Sequence, residues 1–188
     1  MQLIDISMGE SRSEPLDKLA STLYGALRRL ANQVLGDRAR RGSGGMEATE
    51  LVHECYLRLA SNESVSEAIA SMERTEFLAF ASRMLRNILV DHARRERAVK
   101  RGQGWRKITM SEVSELTDGD PEIDLVLLDE ALERLERVDA RQARIVELRF
   151  FGGLTGDEVS KVLGVSRRTI TQEWGMARAW LRRELTKR

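Results

Sequence analysis

The chain has 188 residues, 41% of them hydrophobic and 5% aromatic, with two prolines, one cysteine and a formal net charge of +1. That length allows one domain or two small ones and the apolar content supports a true core, while the lone Cys55 excludes an internal disulfide. The near-neutral total excludes any inference about nucleic acid from global charge, and no apolar run is long enough to suggest a membrane span.

Residues 1–12 read as a loose tail, and the first fourteen residues, MQLIDISMGESRSE, are acidic and polar, unlike a signal peptide. A cytoplasmic location is therefore expected. Pro15 suits the first turn of a helix. From Leu16 onward Leu19, Leu23, Ala26, Leu27, Leu30 and Val34 follow helical spacing. Arg38, Arg40 and Arg41 then meet Gly42-Ser43-Gly44-Gly45. This cluster lacks the Gly-Lys-Ser/Thr ending of a phosphate loop and reads as a flexible connection.

Thr49 is expected to cap a helix from Glu50 to about Ala60. Leu51, Val52, Cys55, Tyr56 and Leu59 form its predicted buried side, with Cys55 as a small core residue. Glu50, His53, Glu54 and Arg58 lie on the polar side. His53-Glu54 resembles the start of a zinc-protease motif, but the position for the second histidine holds Leu57, and His92 is the only other histidine. No metal and no cofactor is expected. This polar face is either plainly solvated or a surface for docking another protein.

After a polar connection at 61–75, Phe77, Phe80, Ala81, Met84, Leu85, Ile88 and Leu89 make a wide apolar stripe. Arg83, Asn87, Asp91 and Arg94 fall at i, i+4, i+8 and i+11 on another face. Arg95, Arg97, Lys100 and Arg101 extend the positive charge. Residues 77–107 carry nine Lys/Arg against two Asp/Glu. A run that unbalanced repels itself unless a polyanion neutralises it. Residues 108–124 are the opposite, with Glu112, Glu115, Asp118, Asp120, Glu122 and Asp124 and no Lys or Arg. The plain reading is a soluble acidic tether. The sharper one is a strand that mimics RNA in a positively charged channel.

Asp120-Pro121 is a helix-start signal. Leu125, Leu128, Ala131, Leu132, Leu135 and Val138 predict an amphipathic helix, and Ala143, Val146, Leu148 and Phe150 lead to a break at Phe151-Gly152-Gly153. Two short helices follow. Thr155 and Glu158 have capping-box spacing, Val159 and Leu163 give an apolar face, Gly164 turns the chain, Val165 plugs the joint and Ser166 caps the next helix. There Ile170, Trp174, Ala177 and Leu181 point inward, while Arg167, Arg168, Thr171 and Gln172 face out. This is the pattern of a helix-turn-helix with its recognition helix starting at Arg167. Ser160 and Glu173 depart from it, standing where alanine and an apolar residue are common. The bland alternative is an ordinary helical hairpin.

The segment Thr49-Glu50-Leu51-Val52-His53-Glu54-Cys55-Tyr56-Leu57-Arg58-Leu59 resembles region 2.2 of bacterial sigma factors of the extracytoplasmic-function type, in a divergent branch; His53 stands where many members carry Gln. Phe77 through Arg95, above all Met84-Leu85-Arg86-Asn87-Ile88-Leu89-Val90-Asp91-His92-Ala93-Arg94-Arg95, resembles their regions 2.3 and 2.4. Leu135 through Leu185 resembles their region 4. Three modest motifs in the right order are together specific.

The resemblance implies an all-α fold of two small helical domains: a region 2 bundle at 13–103 and a region 4 helix-turn-helix at 123–188, joined by a flexible acidic linker at 104–122. It implies a non-enzymatic factor that binds core RNA polymerase through Glu50, His53, Glu54 and Arg58. Arg83, Asn87, Asp91, Arg94 and Arg95 would meet the −10 element, and the loop between Ala60 and Thr75, with Asn62, Ser64 and Ser66, would receive an unpaired base. Ser166, Arg167, Arg168, Thr169, Thr171, Gln172 and Arg178 would read the −35 element in duplex DNA; Arg182 and Arg183 either pair with phosphates or complement the helix C-terminus, the second being the plainer reading. Core polymerase and promoter DNA are the implied partners, with an anti-sigma factor as a candidate third and no membrane. The alternative is a stand-alone helix-turn-helix regulator that binds duplex operator by itself.

Overall fold

A computed structural model of the chain describes residues 48–60, 72–99 and 122–187, with positions 27, 28, 31, 68, 69, 108 and 109 besides. The expected tail, the glycine cluster, Asn62, Ser64, Ser66 and most of the acidic linker lie outside the described residues. Of the first predicted helix, Leu27, Arg28 and Ala31 are described; they are helical, with Leu27 and Ala31 buried and Arg28 exposed.

Six helices are described in full: α1 (Ala48–Ala60), α2 (Arg74–Val99), α3 (Leu125–Val138), α4 (Ala140–Phe150), α5 (Gly156–Leu163) and α6 (Arg167–Thr186). The fold is all-α. A two-residue antiparallel ladder, β1 (Ile108–Thr109) with β2 (Glu122–Ile123), joins the two ends of the linker region, pairing Ile108 with Ile123 and Thr109 with Glu122.

Helix α1 begins at Ala48, so Thr49 lies inside the first turn rather than capping it. Leu51, Val52, Cys55 and Leu59 are buried as expected, but Tyr56 is 40% exposed and Leu57 50%. Burial pushes the Cys55 thiol up to about 12, so it stays protonated and inert. In α2, Phe77, Ala81, Leu85, Ile88 and Leu89 are buried, while Phe80 is exposed.

The start of α3 comes later than the Asp-Pro signal. Asp124 is the cap, its carboxylate accepting the Val126 and Leu127 N–H groups at 2.8 and 3.2 Å. One residue then makes the corner between α3 and α4. The Asp139 N–H donates to the Leu135 carbonyl, closing α3, and its carboxylate accepts the Gln142 N–H at 3.0 Å, opening α4. Val138, predicted as part of the apolar face, sits at that corner 71% exposed.

At the end of α4 the Leu154 N–H returns to the Leu148 carbonyl, and Gly152 passes so close that a Cβ there would lie 2.4 Å from that same oxygen. This turn aims α5 back across α4. Leu128, Leu132, Leu148, Phe150 and Phe151 fill the centre, and the apolar core is continuous from α1 through α6, with α2 packed on α3, α4 and α5. No described helix is long and apolar enough to cross a membrane.

Candidate nucleic-acid interface

The α5–α6 pair is built as its residues dictate. Thr155 and Glu158 form a reciprocal capping box: the Glu158 N–H donates to the Thr155 hydroxyl, and the Thr155 N–H donates to the Glu158 carboxylate at 2.8 Å. Burial pushes the Glu158 carboxyl up, but the Thr155 N–H and hydroxyl and the Arg74 guanidinium outweigh it and hold it below the usual carboxylate range. Gly164 closes α5 with φ 65°, a left-handed conformation that a Cβ disfavours. Ser166 caps α6, its hydroxyl accepting the Thr169 N–H at 3.1 Å.

Behind this frame Ile170, Trp174, Ala177 and Leu181 are all buried. Both departures from the usual pattern have partners. The Ser160 hydroxyl donates to the Val165 carbonyl at 2.5 Å and stitches the turn. The Glu173 carboxylate is buried and held in two-point contact by Arg141 of α4. Arg149 and Arg178 lie over the Trp174 ring, with guanidinium carbons 4.3 and 5.7 Å from its centroid.

The outward face carries Ser166, Arg167, Arg168, Thr171 and Gln172, all exposed, with Thr169 half-buried. Arg167 is ion-paired with Asp157 at the start of α5. The Thr171 hydroxyl donates to the Arg167 carbonyl, so outward it offers a methyl group and acceptor lone pairs. Arg168 and Gln172, one helical turn apart, present a fork of donors and an amide with both functions. That is the equipment for contacts to guanine and adenine edges. Arg178 is half-buried and its guanidinium lies against the indole, two turns beyond this cluster.

The second basic face lies on α2. Arg83, Asn87, Asp91 and Arg94 come together around a cleft of about 400 Å³ whose opposite wall is Asp129, Glu133 and Glu136 of α3. Arg83, Asn87 and Arg94 are exposed. Arg95 is exposed as well but does not line the cleft; its Nε donates to the Asp91 carbonyl. Arg58 of α1 reaches the same cleft, 3.2 Å from Glu54 and 3.5 Å from Asp91. Glu50 and His53 remain on the outer surface of α1 with Tyr56 and Leu57.

The floor of the cleft holds what sequence reasoning missed. Arg86 is 8% exposed and binds one carboxylate oxygen of each of two opposing acids: Nε donates to Asp129 at 2.8 Å and Nη1 to Glu147 at 3.3 Å. Arg94 reaches the other Asp129 oxygen at 3.0 Å. Arg144 pairs with Glu147 and donates to the Ala79 carbonyl and the Ser82 hydroxyl of α2. Three cations thus enclose two buried carboxylates between α2 and the α3–α4 corner. The signal was present but faint. Ala79, Ser82, Arg86 and Val90 recur at i, i+3, i+7 and i+11 as a second buried stripe, and Asp129 stands four residues after Leu125 on the apolar side of α3.

Among the described residues no group of His, Cys, Asp or Glu is placed to hold a metal ion. Neither curated proteins nor solved structures gave a match to this chain. The sequence profile of the ECF sigma factors does match, over residues 2–187. With nearly the whole length covered, and an all-helical chain bearing a capped helix-turn-helix, the chain belongs to the ECF sigma factor family, DNA-binding transcription factors that work with RNA polymerase.

Proposed function

We propose that the chain docks on core RNA polymerase and gives it promoter specificity, reading a −35 element with α6 and holding a −10 element with α2. The observation that carries this reading is the outward face of α6. Its inner side is locked by Ile170, Trp174 and the Arg141–Glu173 pair, and its N-terminus is capped by Ser166. A rigid helix therefore offers Ser166, Arg167, Arg168, Thr169, Thr171 and Gln172 to a major groove, with Arg178 farther along near the phosphates.

The α2 face supplies the complementary chemistry. Arg83, Arg94 and Arg95 neutralise phosphates, while Asn87 and Asp91 offer hydrogen bonds to base edges freed from pairing. Helix α1 suits a protein partner. Glu50, His53, Glu54 and Arg58 are mixed in charge, and Tyr56 and Leu57 add exposed apolar surface beside them. On this reading the region 2-like part spans 13–103 and the region 4-like part 123–188.

Co-elution separates this proposal from a stand-alone operator binder. The full chain is expected to co-elute with purified bacterial core polymerase. The complex should bind a forked probe with a single-stranded −10 region far better than the chain does alone. A chain that ignores core but binds duplex operator tightly by itself contradicts the proposal.

A further inference from the structure

Gly175 lies in the interior of α6, where glycine destabilises a helix relative to alanine. Its backbone conformation gives no reason for the choice, since the positive-φ glycines among the described residues are Gly153 and Gly164. Packing gives none either. A Cβ at Gly175 would meet nothing within 4 Å, whereas one at Gly152 would strike the Leu148 carbonyl. The recognition helix thus carries a penalty that no contact within the chain requires.

Position makes that penalty informative. Gly175 follows Gln172 by three residues and Thr171 by four, so it shares their outward face, with Arg178 one turn farther on. The side chains around it leave the place open. The Thr171 hydroxyl proton is given to the Arg167 carbonyl, and the Arg178 guanidinium is drawn over the Trp174 ring. The Gly175 N–H belongs to the helical ladder. What remains is a notch floored by Cα hydrogens, with no free N–H at its base. A helix laid in a major groove faces base edges whose polar groups are nitrogen and oxygen atoms and whose only methyl group is the C5-methyl of thymine.

We propose that Gly175 is a specificity-determining residue of the −35 reader, a notch that takes the C5-methyl of a thymine while Gln172 at its rim bonds an adjacent base edge. This rests on the reading of α6 as the −35 reader and adds a preferred base to it. Glycine lets a backbone come close to a ligand, and a side chain here would fill the notch and hold the helix away from the groove floor. Stability and recognition should therefore move in opposite directions on substitution. A glycine with no part in recognition would give the same gain in stability with binding unchanged.

Removing one methyl group from the DNA tests this. A promoter selected from a randomised library by core polymerase with the wild-type chain supplies the probe, and each thymine of its −35 element is replaced in turn by deoxyuridine, which lacks only the methyl. At one position the affinity of the wild-type holoenzyme should fall about fourfold, the worth of one buried methyl group. Gly175→Ala should bind the thymine duplex about threefold or more weakly and no longer distinguish thymine from deoxyuridine at that position. The same variant should melt about 2–4 °C above wild type, as expected for a helix-favouring change in a chain of this size. Absence of any thymine whose methyl matters, or a Gly175→Ala chain that keeps either the wild-type affinity or the deoxyuridine effect, overturns the notch while leaving the −35 reading by Arg168 and Gln172 intact. A melting temperature below wild type overturns it as well, since the glycine would then serve the fold. Wild-type protein that selects no promoter with core removes the sigma reading and this inference with it.

Discussion

Helices α2 and α6 both carry basic faces, yet the molecule treats them in opposite ways. Along α6 the apolar residues occupy one side, the caps fix both ends of the turn, and the polar side faces solvent. Along α2 burial runs almost around the helix, because α1 covers one side and the α3–α4 corner the other. Its arginines are divided between a buried network and an open cleft. A helix that packs on one side displays its opposite face by default, whereas a helix packed on two sides displays only what the second neighbour leaves uncovered.

The largest way to break this contrast is at the buried network. Asp129→Ala leaves Arg86 inside with half its partners gone, and loss of one member of a buried ion pair costs about 3–5 kcal/mol. Urea denaturation should show that loss. A change below about 1 kcal/mol would mean the network is open to water and α2 is not truly enclosed.

The matching cut in the other region is Ile170→Ala, a large-to-small change at a buried site expected to cost about 2–5 kcal/mol. It should melt α5 and α6 and abolish duplex −35 binding together. Smaller and cleaner is Arg168→Ala or Gln172→Ala. Each is exposed, so the melting temperature should hold while discrimination at one −35 base pair falls by about 1–3 kcal/mol. Equal loss on every sequence would assign the side chain to phosphates instead.

The smallest expected effect joins the two regions through Glu158, which caps α5 and binds Arg74 of α2. Glu158→Gln should cost about 0.3–1.5 kcal/mol, the scale of a capping contribution. The sign with pH is fixed by its carboxyl lying below the usual 4.5 in the folded chain. That stability is present above pH 4.5 and is lost as pH falls through the lowered folded-state value, so the gap between wild type and variant should be widest in melts at pH 7 and narrow as the pH is taken progressively below 4.5.

The same contrast explains what was readable in advance. The α5–α6 pair was legible nearly residue by residue, since capping boxes, a glycine turn and a 3.6-residue stripe are local rules. Thr155, Gly164, Ser166 and the inward Ile170, Trp174, Ala177 and Leu181 all follow them. Arg86, Asp129, Glu147 and Arg144 were not legible as a network. Arg144 and Glu147 are three residues apart on α4, but their contacts with α2, and those of Asp129, span 35 or more residues, and charge on a helix reads as solvated until a second helix covers it. Val138 and Tyr56 were misjudged for the same reason. Helical spacing names the face they share, but the corner at Asp139 and the open side of α1 decide that these two stay in water. The site residues on α1, α2 and α6 were chosen by pattern and resemblance. That Arg58 shares a cleft with Asn87, Asp91 and Arg94 required the packing of α1 on α2.

Transcription in vitro from a randomised promoter library, with purified bacterial core polymerase and the full chain, tests most directly whether both readers serve one promoter. The predicted result is enrichment of a two-part sequence at fixed spacing, whose upstream part alone degenerates when Arg168 and Gln172 become alanine and whose downstream part alone degenerates when Asn87 does. Enrichment of no sequence over core alone, or of a single element insensitive to Asn87, would contradict the account.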